Sequence, residues 1–259
     1  MDKFYLLGSP ISHSFSPKIY KRLFKLIGKD AEYTLLETKK EELELRIEEI
    51  LDAARNTKGF NLTQPLKEEI LKFDVYLTGI AKETGSVNCV KVKDGRLYGF
   101  NTDYSGFKRS IIPSLEYIKG KDAVIFGAGG ASRSVIKALI DIGIGNIFVI
   151  NRTYKRALDL KELFQDRIIP VKFYEAEDVV KRSKFIVNAT TVGLDGKGAL
   201  IKEPWISKDQ ILYDLIYNPK ETEFLRIGRE RGARVKNGFT MLYFQCIDNI
   251  RIWYGGEGC

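Results

Sequence analysis

A glycine-rich turn carries the strongest chemical signal in this sequence of 259 residues. Gly127, Gly129 and Gly130 follow the apolar run 123–126, and a helical pattern covers 134–142. The N–H groups at a helix start lack intrahelical acceptors, and glycine lets a pyrophosphate approach the backbone closely. Gly127, Gly129, Gly130, Ala131 and Ser132 are therefore predicted to bind a dinucleotide, although Ser132 replaces the third glycine of the usual motif.

The next apolar run, 147–150, ends in Asn151, Arg152 and Thr153, with Arg156 one helical turn later. Units that bind NAD usually place Asp or Glu there, to hold the ribose 2′-hydroxyl. Guanidinium groups and a hydroxyl instead suit a 2′-phosphate, which predicts NADP as the cofactor. The alternative is that Arg152 and Arg156 are solvated charges at a helix start.

Polar residues also follow several short apolar runs, in the segments 12–17, 61–67 and 99–103. Each has an ordinary explanation: Ser16 as a helix N-cap, Asn61 and Thr63 as turn formers, and Asp103 as the cap of a helix beginning near Tyr104. Together, these hydroxyls, amides, a lysine and an aspartate favour a site for a small polyhydroxylated acid.

Strands alternating with helices must position these groups. Strands are predicted at 3–7, 31–36, 59–62, 86–92 and 96–100, the last two joined at the hairpin signal Asp94-Gly95, and helices at 16–27 and 41–54 and through Lys67. The pattern predicts an α/β fold with a mostly parallel mixed sheet covered on both faces.

Composition excludes several classes of protein. With 44% hydrophobic and 29% charged residues the chain is predicted to be globular, and no apolar run approaches the roughly 20 residues of a membrane span, so no membrane partner and a cytoplasmic location are expected. The chain has a net charge of +8, but its basic residues are interspersed with glutamate and no nucleic-acid motif accompanies them, so nucleic acid is not expected as a partner. Cys89, Cys246 and Cys259 form no CxxC or Cys/His cluster, so no metal is expected.

These motifs resemble the shikimate dehydrogenase family over essentially the whole chain. The segment 8–17 is similar to the family's substrate-clamp motif, in which residues matching Ser14 and Ser16 bind the carboxylate. Asn61-x-Thr63-x-Pro65-x-Lys67 resembles its catalytic-lysine motif, and 101–103 its catalytic-aspartate motif. The loop 85–88 resembles the one whose asparagine contacts ring hydroxyls, which implies a substrate role for Asn88; Cys89 stands where the family usually has threonine.

The second half carries the resemblance further. The segment 188–193 resembles a cofactor-side turn, which implies a cofactor role for Thr190; 214–219 and 238–245 resemble late motifs, which imply that Tyr217 and Gln245 face substrate and Gly238 approaches the nicotinamide. The implied organisation is a substrate domain of residues 1–104 plus 238–259 and a Rossmann-like NADP-binding domain of residues 105–237, with the C-terminal helix returning to the first domain.

The implied activity is NADPH-dependent, reversible reduction of 3-dehydroshikimate to shikimate in aromatic amino-acid biosynthesis. Hydride transfer to a ketone creates an alkoxide, which needs a proton donor or a cation. Lys67 fits that need, either transferring the proton or only stabilising charge, and Asp103 is expected to orient it and bind a substrate hydroxyl. His13, the only histidine, is assigned no acid–base role.

Two alternatives remain open from the sequence. The chain could be a quinate/shikimate dehydrogenase with broader substrate or NAD use, or an NADP-binding protein without activity. The intact pair Lys67 and Asp103 argues against the second. A monomer and a homodimer are equally compatible with the sequence.

Overall fold

The computed structural model describes residues 1–53 and 56–255, which form two compact units. The first comprises Met1–Gly106 and the chain from Leu242 onward, and the second comprises Phe107–Met241. Cys259, and Ala54 at the end of a predicted helix, lie outside the described residues.

The first unit is a mixed α/β layer structure. Its elements are β1 (Asp2–Gly8), α1 (Ser16–Leu26), β2 (Ala31–Glu37), α2 (Leu43–Asp52), β3 (Thr57–Leu62), α3 (Leu66–Glu69), β4 (Val75–Leu77), α4 (Gly79–Thr84), β5 (Cys89–Lys93), β6 (Arg96–Phe100) and α5 (Thr102–Ser110), which extends into the second unit. The six strands form one sheet in the order β2-β1-β3-β5-β6-β4. Strand β5 is antiparallel to both of its neighbours, and the other pairs are parallel.

The predicted hairpin is confirmed. Lys93 pairs with Arg96 across a two-residue turn, and both turn residues, Asp94 and Gly95, have positive φ angles of 52° and 70°. This conformation is typical of a tight turn whose twist matches that of the strands. Strand β5 begins at Cys89 rather than at the predicted Ser86, because residues 86–88 run as a loop along the polar ends of β3 and β6.

The N-terminal caps of two helices differ from the sequence-based interpretation. Helix α1 begins at Ser16 with Pro17 in its first turn, but Ser16 is not a cap: its N–H donates to the Ser14 Oγ at 3.2 Å. Helix α5 begins at Thr102, and Asn101 accepts the Tyr104 N–H at 3.3 Å. Asp103 therefore lies within the first turn and its carboxylate is available for other contacts.

The last helix, α11 (Phe239–Tyr254), packs its C-terminal part on the first sheet, as predicted. The Trp253 Nε1 donates to the Val90 carbonyl at 3.0 Å, and the Trp253 ring lies 4.4 Å from that of Phe4, centre to centre. Burial of these rings holds residues 242–255 against the sheet.

The second unit is a doubly wound parallel sheet. Its elements are α6 (Leu115–Ile118), β7 (Ala123–Phe126), α7 (Gly130–Asp141), β8 (Ile147–Ile150), α8 (Tyr154–Phe164), β9 (Ile169–Val171), α9 (Ala176–Arg182), β10 (Phe185–Asn188), β11 (Ile211–Asp214), α10 (Glu223–Glu230) and β12 (Arg234–Asn237). The strand order is β12-β11-β10-β7-β8-β9, and every pair is parallel. All residues of β7, β8, β10 and β11 are buried, which matches a sheet covered on both faces.

From β7 the chain adds β8 and β9 on one side of the sheet and then β10, β11 and β12 on the other, so the strand order reverses between β7 and β10. Such a switch point creates a crevice at the carboxyl ends of the strands, where dinucleotides bind. Helix α7 begins at Gly130, four residues before the predicted 134, so the glycine turn is the helix start itself. Across residues 1–53 and 56–255, no helix has the length and hydrophobicity needed to cross a membrane.

Candidate active site

An ion pair lies at the polar edge of the first unit. The Lys67 Nζ donates to the Asp103 Oδ2 at 2.5 Å, and the two side chains are only 15% and 7% exposed. Lys67 follows β3 in the short helix α3, whereas Asp103 lies in the first turn of α5. An ammonium group carries three N–H donors, so Lys67 retains donors for a ligand oxygen.

Asn88 connects this ion pair to the C-terminal helix. Its Nδ2 lies 3.0 Å from the Asp103 Oδ1, 2.9 Å from the Thr102 Oγ1 and 2.8 Å from the Gln245 Oε1, and its Oδ1 accepts the Thr102 N–H at 2.7 Å. The Asn88 amide is thus fully engaged. Because the Gln245 Oε1 accepts this bond, the amide nitrogen of Gln245 remains as a donor.

Asn61 is held by two tyrosines. Its Oδ1 accepts the hydroxyls of Tyr20 at 3.0 Å and Tyr33 at 2.8 Å, while its Nδ2 donates to the Asn88 carbonyl at 2.8 Å. Asn249 closes the network, because its Nδ2 donates to the Tyr20 hydroxyl and its Oδ1 accepts from Thr102. Burial raises the pKa of Tyr20 well above its ordinary value, which keeps the hydroxyl protonated as a donor.

The remaining predicted substrate residues of this unit lie beside the network rather than within it. Thr63 follows β3, and its N–H donates to the Leu7 carbonyl at 2.9 Å. Ser14, in the loop before α1, contacts Ser16, the first residue of that helix, and among the described residues neither serine shares a hydrogen bond with Lys67, Asn61 or Asn88. The structure thus brings together Lys67, Asp103, Asn88, Gln245 and Asn61.

Two cysteines flank this network and remain reduced. Cys89 and Cys246 are fully buried free thiols, next in sequence to Asn88 and Gln245. Burial raises the pKa of Cys89 well above its usual range and that of Cys246 to about 12. Both therefore stay protonated, and a protonated thiol is neither a nucleophile nor a metal ligand. Within residues 1–53 and 56–255, no three His, Cys, Asp or Glu side chains are grouped to hold a metal.

The second unit places a glycine turn at the carboxyl end of β7. Gly127 has a φ of +110°, and a Cβ there would lie 2.8 Å from the Ala189 carbonyl oxygen. A Cβ at Gly129 would meet no protein atom within 4 Å, so this residue faces open space at the start of α7. Ser132 is fully buried and its Oγ accepts the Gly129 N–H at 3.3 Å, so it supports the turn from inside. Gly130 and Ala131 form the first turn of the helix.

The carboxyl end of β8 presents exposed cations. Asn151 directly follows β8. Its Nδ2 donates to the Thr153 carbonyl at 2.8 Å and shapes the turn into α8. Arg152, Thr153 and Arg156 are exposed. Within the described chain, neither arginine has a carboxylate partner, which leaves both guanidinium groups available to an anion.

Thr190 follows β10 and is held by Asn188. The Asn188 Oδ1 accepts both the Thr190 N–H at 3.0 Å and the Thr190 hydroxyl at 2.7 Å. Asn188 in turn donates to the Oδ1 of the buried Asp214 at 3.1 Å. Burial raises the pKa of Asp214 from its ordinary value to about 6, opposed by hydrogen bonds from Thr222, Ile216 and Asn188.

Tyr217 and Gly238 belong to the second unit and follow β11 and β12. Gly238 donates its N–H to the Ile216 carbonyl at 3.1 Å. A Cβ at Gly238 would lie 2.0 Å from the Leu215 carbonyl oxygen, so only glycine fits between these loops. Tyr217 is half-buried in the loop after β11.

Some residues of these networks were not predicted as site residues. Thr102 and Asp214 lie within the segments 101–103 and 214–219 that carry the family resemblance, but no role was predicted for them. Asn249 and Tyr20 lie in none of the predicted site motifs. Asn249 interrupts the apolar face formed by Cys246, Ile250 and Trp253 on α11. A polar residue at helical spacing among apolar ones is the sequence signal that could have revealed it.

The parallel sheet with its glycine turn and exposed arginines, together with a separate unit carrying a buried lysine–aspartate pair, defines the class of two-domain, dinucleotide-dependent dehydrogenases. Two family models match the chain: the shikimate dehydrogenase substrate binding domain at residues 6–90, and shikimate / quinate 5-dehydrogenase at residues 111–201. The chain belongs to the shikimate dehydrogenase family.

Individual relatives agree with this assignment. The shikimate dehydrogenase (NADP(+)) of Aquifex aeolicus is 38% identical over 253 residues, which cover 97% of this chain and 91% of that protein. The crystal structure of the Thermus thermophilus enzyme in complex with NADP(H) and shikimate has a TM-score of 0.85 at 36% identity, covering 100% of this chain and 95% of that one. Quinate dehydrogenase from Corynebacterium glutamicum in complex with NAD has a TM-score of 0.86 at 28% identity, covering 99% and 94%.

Proposed function

We propose that this protein catalyses the NADPH-dependent, reversible reduction of 3-dehydroshikimate to shikimate. The observation that carries the proposal is the buried Lys67–Asp103 ion pair, with its Nζ–Oδ2 distance of 2.5 Å, in a network of amides suited to a polyhydroxylated ligand. The Aquifex aeolicus relative bears the name of this activity, and the Thermus thermophilus structure contains NADP(H) and shikimate.

The reaction requires one hydride and one proton. When bound, NADPH supplies the hydride to the ketone carbon, and the carbonyl oxygen then needs a proton. Lys67 is the proposed catalytic group, because its ammonium can donate to that oxygen while Asp103 holds it in place. In the reverse direction the same amine accepts the proton of the substrate hydroxyl.

The substrate is proposed to be held by donors and acceptors of the first unit. Asp103 can accept a hydrogen bond from a ring hydroxyl, since each carboxylate oxygen has a second lone pair. Gln245 and Asn61 can each donate an amide N–H to a substrate oxygen. Ser14, Ser16, Thr63, Asn88 and Tyr217 complete the proposed substrate residues, with the two serines binding the carboxylate. Residues 1–104 plus 238–259 are the proposed substrate domain.

The cofactor is proposed to bind residues 105–237 together with Gly238. The open space beside Gly129 is the proposed position of the pyrophosphate, at the start of α7. The exposed Arg152 and Arg156, with Asn151 and Thr153, suit a 2′-phosphate, and no carboxylate ends β8 to favour NAD. The remaining cofactor residues in the proposal are Gly127, Gly130, Ala131, Ser132 and Thr190.

The proposed location is the cytoplasm. Support comes from Cys89 and Cys246, which are buried and unpaired, as is typical of proteins from reducing compartments. The reaction is proposed to be a step in aromatic amino-acid biosynthesis.

A second candidate function is oxidation of quinate. It is favoured by the fold similarity to quinate dehydrogenase and by the name of the second family model. The test is to mix the protein with shikimate or quinate and with NADP or NAD, and to follow formation of reduced nicotinamide by absorbance. Activity restricted to shikimate and NADP supports the main proposal, comparable rates with quinate support the second, and no activity in any mixture contradicts both.

A further inference from the structure

Asp214 is a fully buried carboxylate that none of the proposed roles uses. It is the last residue of β11 and pairs in register with Asn188, the last residue of β10. An ionised carboxylate is costly to remove from water unless hydrogen bonds replace the solvent. The donors around Asp214 therefore identify what it holds in place.

Three donors point at this carboxylate. Its Oδ1 accepts the Asn188 Nδ2 at 3.1 Å and the Ile216 N–H at 3.0 Å. Its Oδ2 accepts the Thr222 hydroxyl at 2.6 Å. These donors come from the end of β10, from the loop after β11 and from the residue before α10, so one side chain joins three segments.

The bond to Asn188 fixes the turn that follows β10. A carboxylate only accepts hydrogen bonds, so Asn188 must turn its NH₂ toward Asp214 and its Oδ1 toward Thr190. The Oδ1 then accepts both the N–H and the hydroxyl of Thr190, while the NH₂ also donates to the Val192 carbonyl at 3.1 Å. If the amide were reversed, its NH₂ would face the Thr190 N–H, and the turn would lose its acceptor.

The bond to Ile216 fixes the loop that follows β11. Ile216 presents its carbonyl to the Gly238 N–H at 3.1 Å, and the Leu215 carbonyl abuts the position of a Gly238 side chain. The Leu215 N–H donates to the Asn188 carbonyl at 2.9 Å. Asp214 thus controls the relative placement of Thr190 and Gly238, both proposed cofactor residues, and of the loop that carries Tyr217.

The topology of the sheet shows which part of the cofactor these residues would face. A doubly wound sheet binds one half of a dinucleotide over each half of the sheet, with the pyrophosphate at the switch point. The arginines after β8 suit the adenosine 2′-phosphate. The ends of β10, β11 and β12 therefore face the nicotinamide half.

We propose that Asp214 is a positioning residue that orders the Thr190 turn and the loop after β11 for the nicotinamide half of NADP. This inference rests on the proposed function, since it assumes that NADP is the cofactor. It assigns Asp214 no contact with substrate or cofactor. The adenosine half of the site is independent of it.

The test uses two probes: NADP, and 2′,5′-ADP, which lacks the nicotinamide half. Their dissociation constants are measured by calorimetry for the wild-type protein and for Asp214→Leu, which keeps about the size of the side chain but offers Asn188 and Ile216 no acceptor. The expected result is a weakening of NADP binding by about tenfold with 2′,5′-ADP binding unchanged. Equal weakening of both probes, or no change in either, overturns the proposal.

Two further variants separate positioning from general destabilisation. Thr222→Val removes a donor to the same carboxylate but leaves the bonds to Asn188 and Ile216, so it is expected to lower the melting temperature without changing NADP affinity. Asn188→Ala breaks the link from its other end and is expected to reproduce the selective loss of NADP affinity, which keeps the proposal testable if Asp214→Leu does not fold. NADP affinity unchanged in Asn188→Ala overturns the proposal.

The same titrations distinguish this inference from the proposed function. If Asp214→Leu shows the expected pattern relative to the wild-type protein, but the wild-type protein does not oxidise shikimate, the proposed function fails and the role of Asp214 stands. If the wild-type protein does not bind NADP, both fail. If shikimate is oxidised but Asp214→Leu binds NADP normally, only the role of Asp214 is overturned.

Discussion

The Lys67 Nζ and the Asp103 Oδ2 lie 2.5 Å apart, although 36 residues separate them in the sequence. Both side chains are largely buried, and Asp103 is further held by Asn88. Removing one partner of such a pair leaves an uncompensated charge in a poorly solvated place. The pair is therefore both a proposed reaction centre and a vulnerable point of the first unit.

Replacement of Lys67 by alanine is expected to reduce kcat for shikimate oxidation by about 100- to 1,000-fold, because the reacting oxygen loses its cation and proton donor. The affinity for NADP should stay within about twofold, since Lys67 belongs to the other unit. Steady-state kinetics and an NADP titration measure the two quantities. Lys72→Ala, which removes an exposed lysine five positions away, is the control. A turnover close to wild type in Lys67→Ala contradicts the assignment.

The energetic coupling of Lys67 and Asp103 can be measured separately from activity. Lys67→Met and Asp103→Asn each strand one charge, and each is expected to lower the free energy of unfolding by about 3 kcal/mol. The double variant has no stranded charge and should be less destabilised than the sum of the singles, with a coupling of about 2 kcal/mol. Urea denaturation of the four proteins gives this value. Additive effects would show that the two groups do not interact in solution.

Local features of the fold could be predicted from sequence, and long-range ones could not. The Asp94-Gly95 hairpin and the glycine turn after β7 follow from residues whose backbone preferences act within a few positions. The pairing of Lys67 with Asp103 depends on how β3 and α5 are brought together by the sheet, and it was expected only from the family resemblance. The start of α7 was misplaced because its first turn, 130–133, is polar and small, without apolar periodicity.

The amide network shows the same limit more clearly. Tyr20, Asn61 and Asn249 are distant in sequence and meet only after α1, β3 and α11 have packed. No local rule selects which buried tyrosine will donate to which asparagine, because many pairings satisfy the requirement that buried polar groups be hydrogen-bonded.

Two glycine-to-alanine variants should have opposite signatures. Gly129→Ala adds a Cβ into open space at a backbone conformation that any residue adopts, with φ of −106°, so the melting temperature should be unchanged. The new methyl group would occupy the proposed pyrophosphate position and should weaken NADP binding by about tenfold or more. Thermal denaturation and NADP titration give the two readouts.

Gly238→Ala is the matched contrast, because its Cβ would lie 2.0 Å from the Leu215 carbonyl oxygen. The backbone must move to accommodate it, so a loss of stability of about 1–3 kcal/mol is expected along with weaker cofactor binding. A Gly129→Ala protein that binds NADP normally would remove Gly129 from the proposed site.

Arg152→Ala tests cofactor selection. The exposed guanidinium has no carboxylate partner among the described residues, so its loss should leave stability unchanged while raising the KM for NADP by about tenfold, and the KM for NAD should hardly change. The Lys155→Ala variant removes an exposed cation of the same region that is already paired with Asp159, and it is the control. Equal changes in the KM values for NADP and NAD would contradict the 2′-phosphate role.

The raised pKa of Asp214 has a definite consequence for stability. Burial raises this pKa from 3.8 to about 6, so between these values the folded protein retains a proton that the unfolded chain releases. The stabilising contribution is therefore fully present below about pH 4 and is lost as the pH rises to about 6, with a total of about 3 kcal/mol. Asp214→Asn has no such proton. Relative to the wild-type value, the free energy of unfolding of this variant should increase from about pH 4 to about pH 6 and remain constant above that range.

Urea denaturation at a series of pH values measures this difference, with the exposed Asp209→Asn as the control. A difference between Asp214→Asn and wild type that does not vary with pH would show that the carboxyl group titrates normally. The buried carboxylate is thus least favourable to folding at neutral pH, where it is ionised. Its retention at the end of β11 is better explained by the acceptor that it offers to Asn188 and Ile216 than by any gain in stability.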